Sequence, residues 1–130
     1  MNVLLDTNFY TAFCKGDEQA VRVIQQARRI FLPFAVLAEL RAGFLCGTKA
    51  RKNERTLTLF LNSVRVEVLY PDENTTHQFA AVFAQLRLQG KPIPTNDIWI
   101  AAIARQHGLI LITRDAHFRE IEGLTTKDWR

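Results

Sequence analysis

Between Gly108 and Arg114 the chain runs Leu109-Ile110-Leu111-Ile112-Thr113. A strand with one face in water alternates apolar and polar residues. An unbroken β-branched and leucine run is the mark of a strand covered on both faces, which is the situation inside a parallel sheet sandwiched by helices. The rest of the sequence supplies partners for such a strand. Val3 to Asp6 is a short apolar strand and Ile30 to Leu32 a second one. Val64, Val66 and Val68 alternate with Arg65 and Glu67, the period of a half-buried strand near a sheet edge. Leu124 to Trp129 supplies a last edge strand.

Helical spacing fills the gaps. Thr7-Asn8 leads into a helix through Cys14, and Asp17 caps another over Ala20 to Arg28. Pro33 suits a helix's first turn, followed by an apolar stripe of Leu37, Leu40, Phe44 and Leu45. Lys52 to Leu61 continues helical, with Leu57, Phe60 and Leu61 on one side. In Thr75 to Gln89 the residues Phe79, Val82, Phe83 and Leu86 fall at i, i+3, i+4 and i+7, and Gly90 ends the run. Thr95 or Asn96 caps a helix that is apolar nearly all round from Ile98 to Ala104, and Gly108 stops it. Strands alternating with helices predict an α/β, three-layer sandwich with a central, mostly parallel sheet and helices on both faces. No repeat or linker divides the 130 residues, so one domain over 1–130 is expected.

Four acids stand where acid is least expected, each within or beside an apolar run. Asp6 follows Val3-Leu4-Leu5, Glu39 lies inside Val36-Leu37-Ala38-Glu39-Leu40, Asp97 precedes Ile98-Trp99-Ile100, and Asp115 comes just after the Leu109 to Thr113 strand. In parallel sheets ligands bind outside the carboxyl ends of the strands, where strand order reverses. If the first strand and the Leu109 strand are neighbours, Asp6 and Asp115 leave the same edge. Asp97 sits in the first turn of its helix, where the dipole favours negative charge. Glu39 faces inward with Val36, Leu40 and Gly43. Two charges about 4 Å apart near a protein surface interact by roughly 4 kcal/mol, so converging carboxylates must be protonated or neutralised. Hard divalent cations such as Mg²⁺ or Mn²⁺ prefer carboxylate-rich sites and leave positions open for water and phosphate. Acids without histidine or cysteine spacing point to phosphate chemistry rather than zinc peptidase chemistry.

Cys14 and Cys46 have no CxxC partner and read as reduced core or boundary thiols. His77, His107 and His117 lack ligand spacing. No apolar run approaches the roughly 18 residues of a membrane span, and Asp6 interrupts any signal-peptide core, so a cytoplasmic protein is expected. The formal charge of +4 is mild, but Arg41 to Arg65 holds Arg41, Lys49, Arg51, Lys52, Arg55 and Arg65 against the single acid Glu54. That stretch suits RNA phosphates or a partner, and equally a solvated helix face.

Leu4-Leu5-Asp6-Thr7-Asn8, the helix with Ala38-Glu39-Leu40, Asn96-Asp97-Ile98-Trp99-Ile100-Ala101-Ala102 and Thr113-Arg114-Asp115-Ala116-His117-Phe118, taken together and in this order, resemble the PIN-domain family, and within it the VapC ribonuclease toxins of bacterial toxin–antitoxin pairs. Phe118 to Leu124 and Asp128-Trp129 resemble the ending common in those toxins. The resemblance implies a PIN-like sandwich and an endoribonuclease dependent on Mg²⁺ or Mn²⁺. It implies a homodimer that cuts RNA, including transfer or ribosomal RNA. A small, VapB-like antitoxin would block the acidic pocket, and DNA would be met only through that antitoxin, with no membrane involved. Carried over, Asp6, Glu39, Asp97 and Asp115 form a catalytic acidic quartet, with Asp6, Asp97 and Asp115 as metal ligands and Glu39 acting through water or orienting the nucleophile. Thr7, Asn8 and Thr113 are candidate hydrogen-bonding supports for them.

Plainer readings account for the same residues one at a time. Asp6 and Asp115 are also ordinary acids at strand ends, Asp97 a helix cap, and Glu39 a salt-bridge partner for Arg41 or a lysine. His117 reads as a loop histidine packed beside Phe118, and Trp99 and the phenylalanines as core, with Phe9 and Tyr10, just after the acid, as alternative candidates to line a substrate groove. A haloacid-dehalogenase-like phosphatase wants an acid two residues after Asp6, where this chain has Asn8; receiver domains want adjacent N-terminal acids and a late lysine, both missing here. The remaining alternatives are a phosphatase-like metal-dependent hydrolase and a catalytically silent RNA-binding or partner-docking module.

Overall fold

The first strand, β1 (Asn2–Leu5), lies at the centre of the sheet, with a pairing strand on each side. In a computed structural model describing residues 1–130, helices α1 (Thr7–Cys14) and α2 (Glu18–Gln26) lead to β2 (Arg29–Pro33). Helices α3 (Phe34–Cys46) and α4 (Ala50–Leu61) lead on to β3 (Val66–Leu69). The chain then returns through α5 (Glu73–Leu88) and α6 (Thr95–His107) to β4 (Ile110–Ile112), and a 3₁₀ turn (Ala116–Glu120) precedes β5 (Thr125–Lys127). The strand order is β3-β2-β1-β4-β5 and all four pairings are parallel. The chain steps outward from β1 through β2 to β3 on one side, then crosses back from β3 to β4 and on to β5 on the other, which covers both faces and makes a three-layer α/β sandwich. The strand order reverses between β1 and β4.

The run that opened the sequence reading becomes β4, with Leu111 and Ile112 fully buried beside β1, and β5 takes the outer edge. Helix α6 packs at the centre as its composition demands, with Ile98, Ile100, Ala101, Ala102, Ile103 and Ala104 buried. It stops at Gly108, whose φ of +62° is the left-handed conformation that only glycine adopts without strain. Its start differs from expectation: Pro94 occupies the cap position and neither Thr95 nor Asn96 caps it. The rigid Pro92-Ile93-Pro94 segment fixes the entry angle instead.

Other departures concern exposure. Leu45 and Phe83 fall on their predicted stripes but stand 80% and 46% exposed, because no element covers the ends of those stripes. Cys14 and Cys46 are both exposed free thiols rather than core or boundary ones. The C-terminal segment returns to the centre through Trp129, which packs edge-on against Phe9 with ring centroids 5.3 Å apart. The Arg114 guanidinium lies 3.9 Å over the Trp129 ring and pairs with Asp128 at 2.8 Å, so the chain end clasps the loop after β4.

Candidate active site

Parallel register brings the acids to one edge. Leu5 pairs with Ile112, so the next residues, Asp6 and Thr113, leave the sheet side by side. Asp6 is only 6% exposed and serves as the N-cap of α1, its Oδ1 accepting the Phe9 N–H at 2.8 Å. Burial pushes the Asp6 carboxyl above its ordinary range, opposed by hydrogen bonds from the Thr113 hydroxyl and Phe9 N–H, while Asp115 and Glu39 push further upward. The Thr113 oxygen accepts the Asp115 N–H at 3.0 Å, so a single buried threonine braces two of the acids.

Asp115 caps the 3₁₀ turn, its Oδ1 accepting the His117 N–H at 2.9 Å. Asp97 enters from the first turn of α6. Burial, then the charges of Asp115, Glu39 and Asp6, push its carboxyl up to about 6, with His117 pulling slightly the other way. Glu39 arrives from α3 and accepts the Thr7 hydroxyl at 3.3 Å. The Arg41 expected as its partner instead makes a forked pair with Glu54, both contacts at 3.1 Å. No Lys or Arg lies in an ion pair with Asp6, Glu39, Asp97 or Asp115.

The structure therefore draws the four acids into one electrostatically coupled group. His117 joins them: its Nδ1 lies 3.2 Å from Asp115 Oδ1, and ligand atoms of Asp97, Asp115 and His117 all fall within 4.8 Å of one another. Its side chain is 60% exposed and reaches towards the acids instead of packing beside Phe118. The signal was local, because a turn after Asp115 folds the side chain two residues on back over it. Phe9 is buried against Trp129, the core reading of the phenylalanines rather than the groove-lining one. Asn8 is exposed on α1 and makes no side-chain hydrogen bond to an acid.

Oxygen donors that repel one another, lack any internal cation and stand at a strand-order reversal suit a hard divalent ion. Such a group can bind a cation, orient water and hold a proton beside a phosphodiester. Likeness to known proteins agrees with that chemistry. The PIN domain family model matches residues 3–124. Over 134 aligned residues the chain is 32% identical to ribonuclease VapC1 of Haemophilus influenzae (strain R2866), covering 99% of this chain and 98% of that protein. It is 31% identical to the tRNA(fMet)-specific endonuclease VapC of Shigella flexneri, again covering 99% and 98%. Among solved structures, VapBC2 from Rickettsia felis bound to a DNA fragment from their promoter superposes with a TM-score of 0.88 at 26% identity, covering 100% of both chains. The chain belongs to the PIN-domain family and, within it, to the VapC ribonucleases.

Proposed function

We propose that residues 1–130 act as one PIN domain, a metal-dependent endoribonuclease that serves as the toxin of a type II toxin–antitoxin pair. The observation that carries the proposal is the coupled acid group at the β1–β4 reversal, with Asp97 pushed up to about 6 and no lysine or arginine paired with any of the acids. Ribonuclease and tRNA endonuclease activities borne by the relatives give the chemistry a substrate.

Asp97 and Asp115, whose ligand atoms already lie together with that of His117, would hold Mg²⁺ or Mn²⁺, with Asp6 joining them from the end of β1. When bound, the ion supplies charge neutralisation and polarises a phosphodiester. The side chains do the positioning. Glu39, steadied by the Thr7 hydroxyl, faces the group from α3 and can accept a proton from an attacking water. Thr113 keeps Asp6 and Asp115 in register, and the α1 N-terminus fixes Asp6 through the Phe9 N–H. A VapB-like antitoxin would bind this edge and silence it, as a partner in a cytoplasmic complex of homodimeric toxin.

The test is RNA cleavage by the purified chain freed of antitoxin. Cleavage with Mg²⁺ or Mn²⁺ that stops in EDTA and in a folded Asp6→Asn variant is expected. Cleavage that survives both would sink the proposal, and absence of any cleavage across transfer and ribosomal RNA would leave a silent binding module.

A further inference from the structure

Beside the acids, α1, α3 and the start of α4 enclose a second cavity, of about 420 Å³, whose charged lining is wholly cationic. Lys15, Lys49 and Lys52 reach it together with the Asn53 amide, and no carboxylate lines it. None of these lysines lies in an ion pair, nor do Arg51 and Arg55 on the adjoining face of α4. Helix α4 is 12 residues long and begins without a side chain capping its free N–H groups, so its positive end adds to the same potential.

A separate observation lies at the cavity floor. Tyr10 lines the cavity while only 3% exposed, and its hydroxyl is closed off from solvent beside the Cys14 thiol, a hydrogen-bonding neighbour. Burial holds the phenol far above its ordinary value, so it stays neutral.

The cavity also adjoins the acids through the chain itself. Thr7 donates to Glu39, and Thr11, which lines the cavity, donates to the Thr7 carbonyl at 3.1 Å. One helical turn, about 6 Å, thus separates the two. Leu40, the neighbour of Glu39, lines the cavity as well.

We infer that this cavity is a phosphate subsite for the RNA strand, in which Lys15, Lys49, Lys52 and the open α4 N-terminus hold a backbone phosphate next to the nucleotide cut at the acids. The inference rests on the ribonuclease reading for its substrate. Its test is separable from it: equilibrium binding of a fluorescein-labelled, single-stranded RNA oligonucleotide with 2′-O-methyl riboses, measured in EDTA so that nothing is cut.

The double variant Lys49→Gln, Lys52→Gln should weaken binding about tenfold and flatten the slope of log affinity against log salt by about 1.4, two contacts at about 0.7 each. Arg22→Gln, an exposed and unpaired cation on α2, should change neither. Unchanged affinity and slope in the double variant overturn the subsite and leave the ribonuclease reading intact. Loss of antitoxin binding with RNA binding preserved also overturns it, assigning the cavity to the protein partner. A chain that binds RNA through these lysines yet never cuts it upholds the subsite and refutes the ribonuclease reading.

Discussion

The carboxylates at the β1–β4 edge are withdrawn from water and set against one another, whereas the cations at the start of α4 stand in solvent. Asp6 is 6% exposed and shares its surroundings with Asp115, Glu39 and Asp97, while Lys49, Arg51, Lys52 and Arg55 are all exposed and spread along a helix. Two charges about 4 Å apart interact by roughly 4 kcal/mol in the first setting and about 1 kcal/mol in bulk water. The acids therefore act as a unit in which each member matters, and the cations act by summation. Substitutions should accordingly be severe and non-additive at one place, graded and salt-sensitive at the other.

The largest effect should come from Asp97→Asn. Loss of one carboxylate from a coupled cation-binding group should lower kcat for RNA cleavage by about 10³-fold or more, roughly 4 kcal/mol of transition-state stabilisation. Asp6→Asn should match it, and the double variant should be little worse than either alone. If the losses multiply instead, the acids work independently and the contrast with the basic face fails.

Next comes the threonine that braces the pair. Thr113→Val keeps shape and burial but removes the oxygen that accepts the Asp115 N–H and bonds Asp6. Activity should fall about 10- to 100-fold, the usual cost of losing a group that orients metal ligands. Comparing its cleavage at saturating Mn²⁺ with that of wild type checks this; full rescue by excess metal would show that Thr113 serves metal affinity alone.

Stability should follow the acids as well. Asp97 carries a folded value of about 6 against 3.8 for the ordinary carboxyl, so the folded chain holds this proton more tightly than the unfolded one. Its contribution is complete below about pH 3.8 and is lost as pH rises through about 6. Asp72 and Asp128 have lowered values and contribute in the opposite sense, but only at pH below the ordinary carboxyl range, which leaves pH 5 to 7.5 to the coupled acids. In EDTA the protein should be less stable at pH 7.5 than at pH 5, by about 1 kcal/mol or less after allowing for the partial exposure of Asp97. Thermal melts at the two pH values read this directly. Asp97→Asn should shrink the difference, and Mg²⁺ or Mn²⁺ at pH 7.5 should restore the wild-type Tm.

Much of this geometry was legible because it follows from local pattern. The continuous Leu109 to Ile112 run announces a strand covered on both faces, and apolarity around Ile98 to Ala104 announces a central helix. Given a parallel pairing of β1 with β4, the emergence of Asp6 and Asp115 at one edge is a matter of counting residues. What escaped depends on which surfaces other elements cover. Periodicity places Leu45 and Phe83 on stripes but does not say where the covering element ends. Glu39 and Arg41 are near in sequence, yet α4 brings Glu54 to Arg41 and α1 brings Thr7 to Glu39. The burial of Tyr10 likewise exists only because α3 and α4 close over α1.

That same Arg41–Glu54 pair gives the smallest effect and the sharpest control. It has forked geometry and contacts of 3.1 Å, which in a dry site would make it strong, but its side chains are 47% and 42% exposed. Water screens it, and a pair of this kind contributes about 0.5 kcal/mol or less. A double-mutant cycle with Arg41→Gln and Glu54→Gln, read by urea unfolding, should return a coupling near that value and approach zero at about 1 M salt, where the screening length is about 3 Å. A coupling of several kcal/mol that persists in salt would mean the α3–α4 face is as dry as the acid edge, and the division between cooperative acids and additive cations would have to be abandoned.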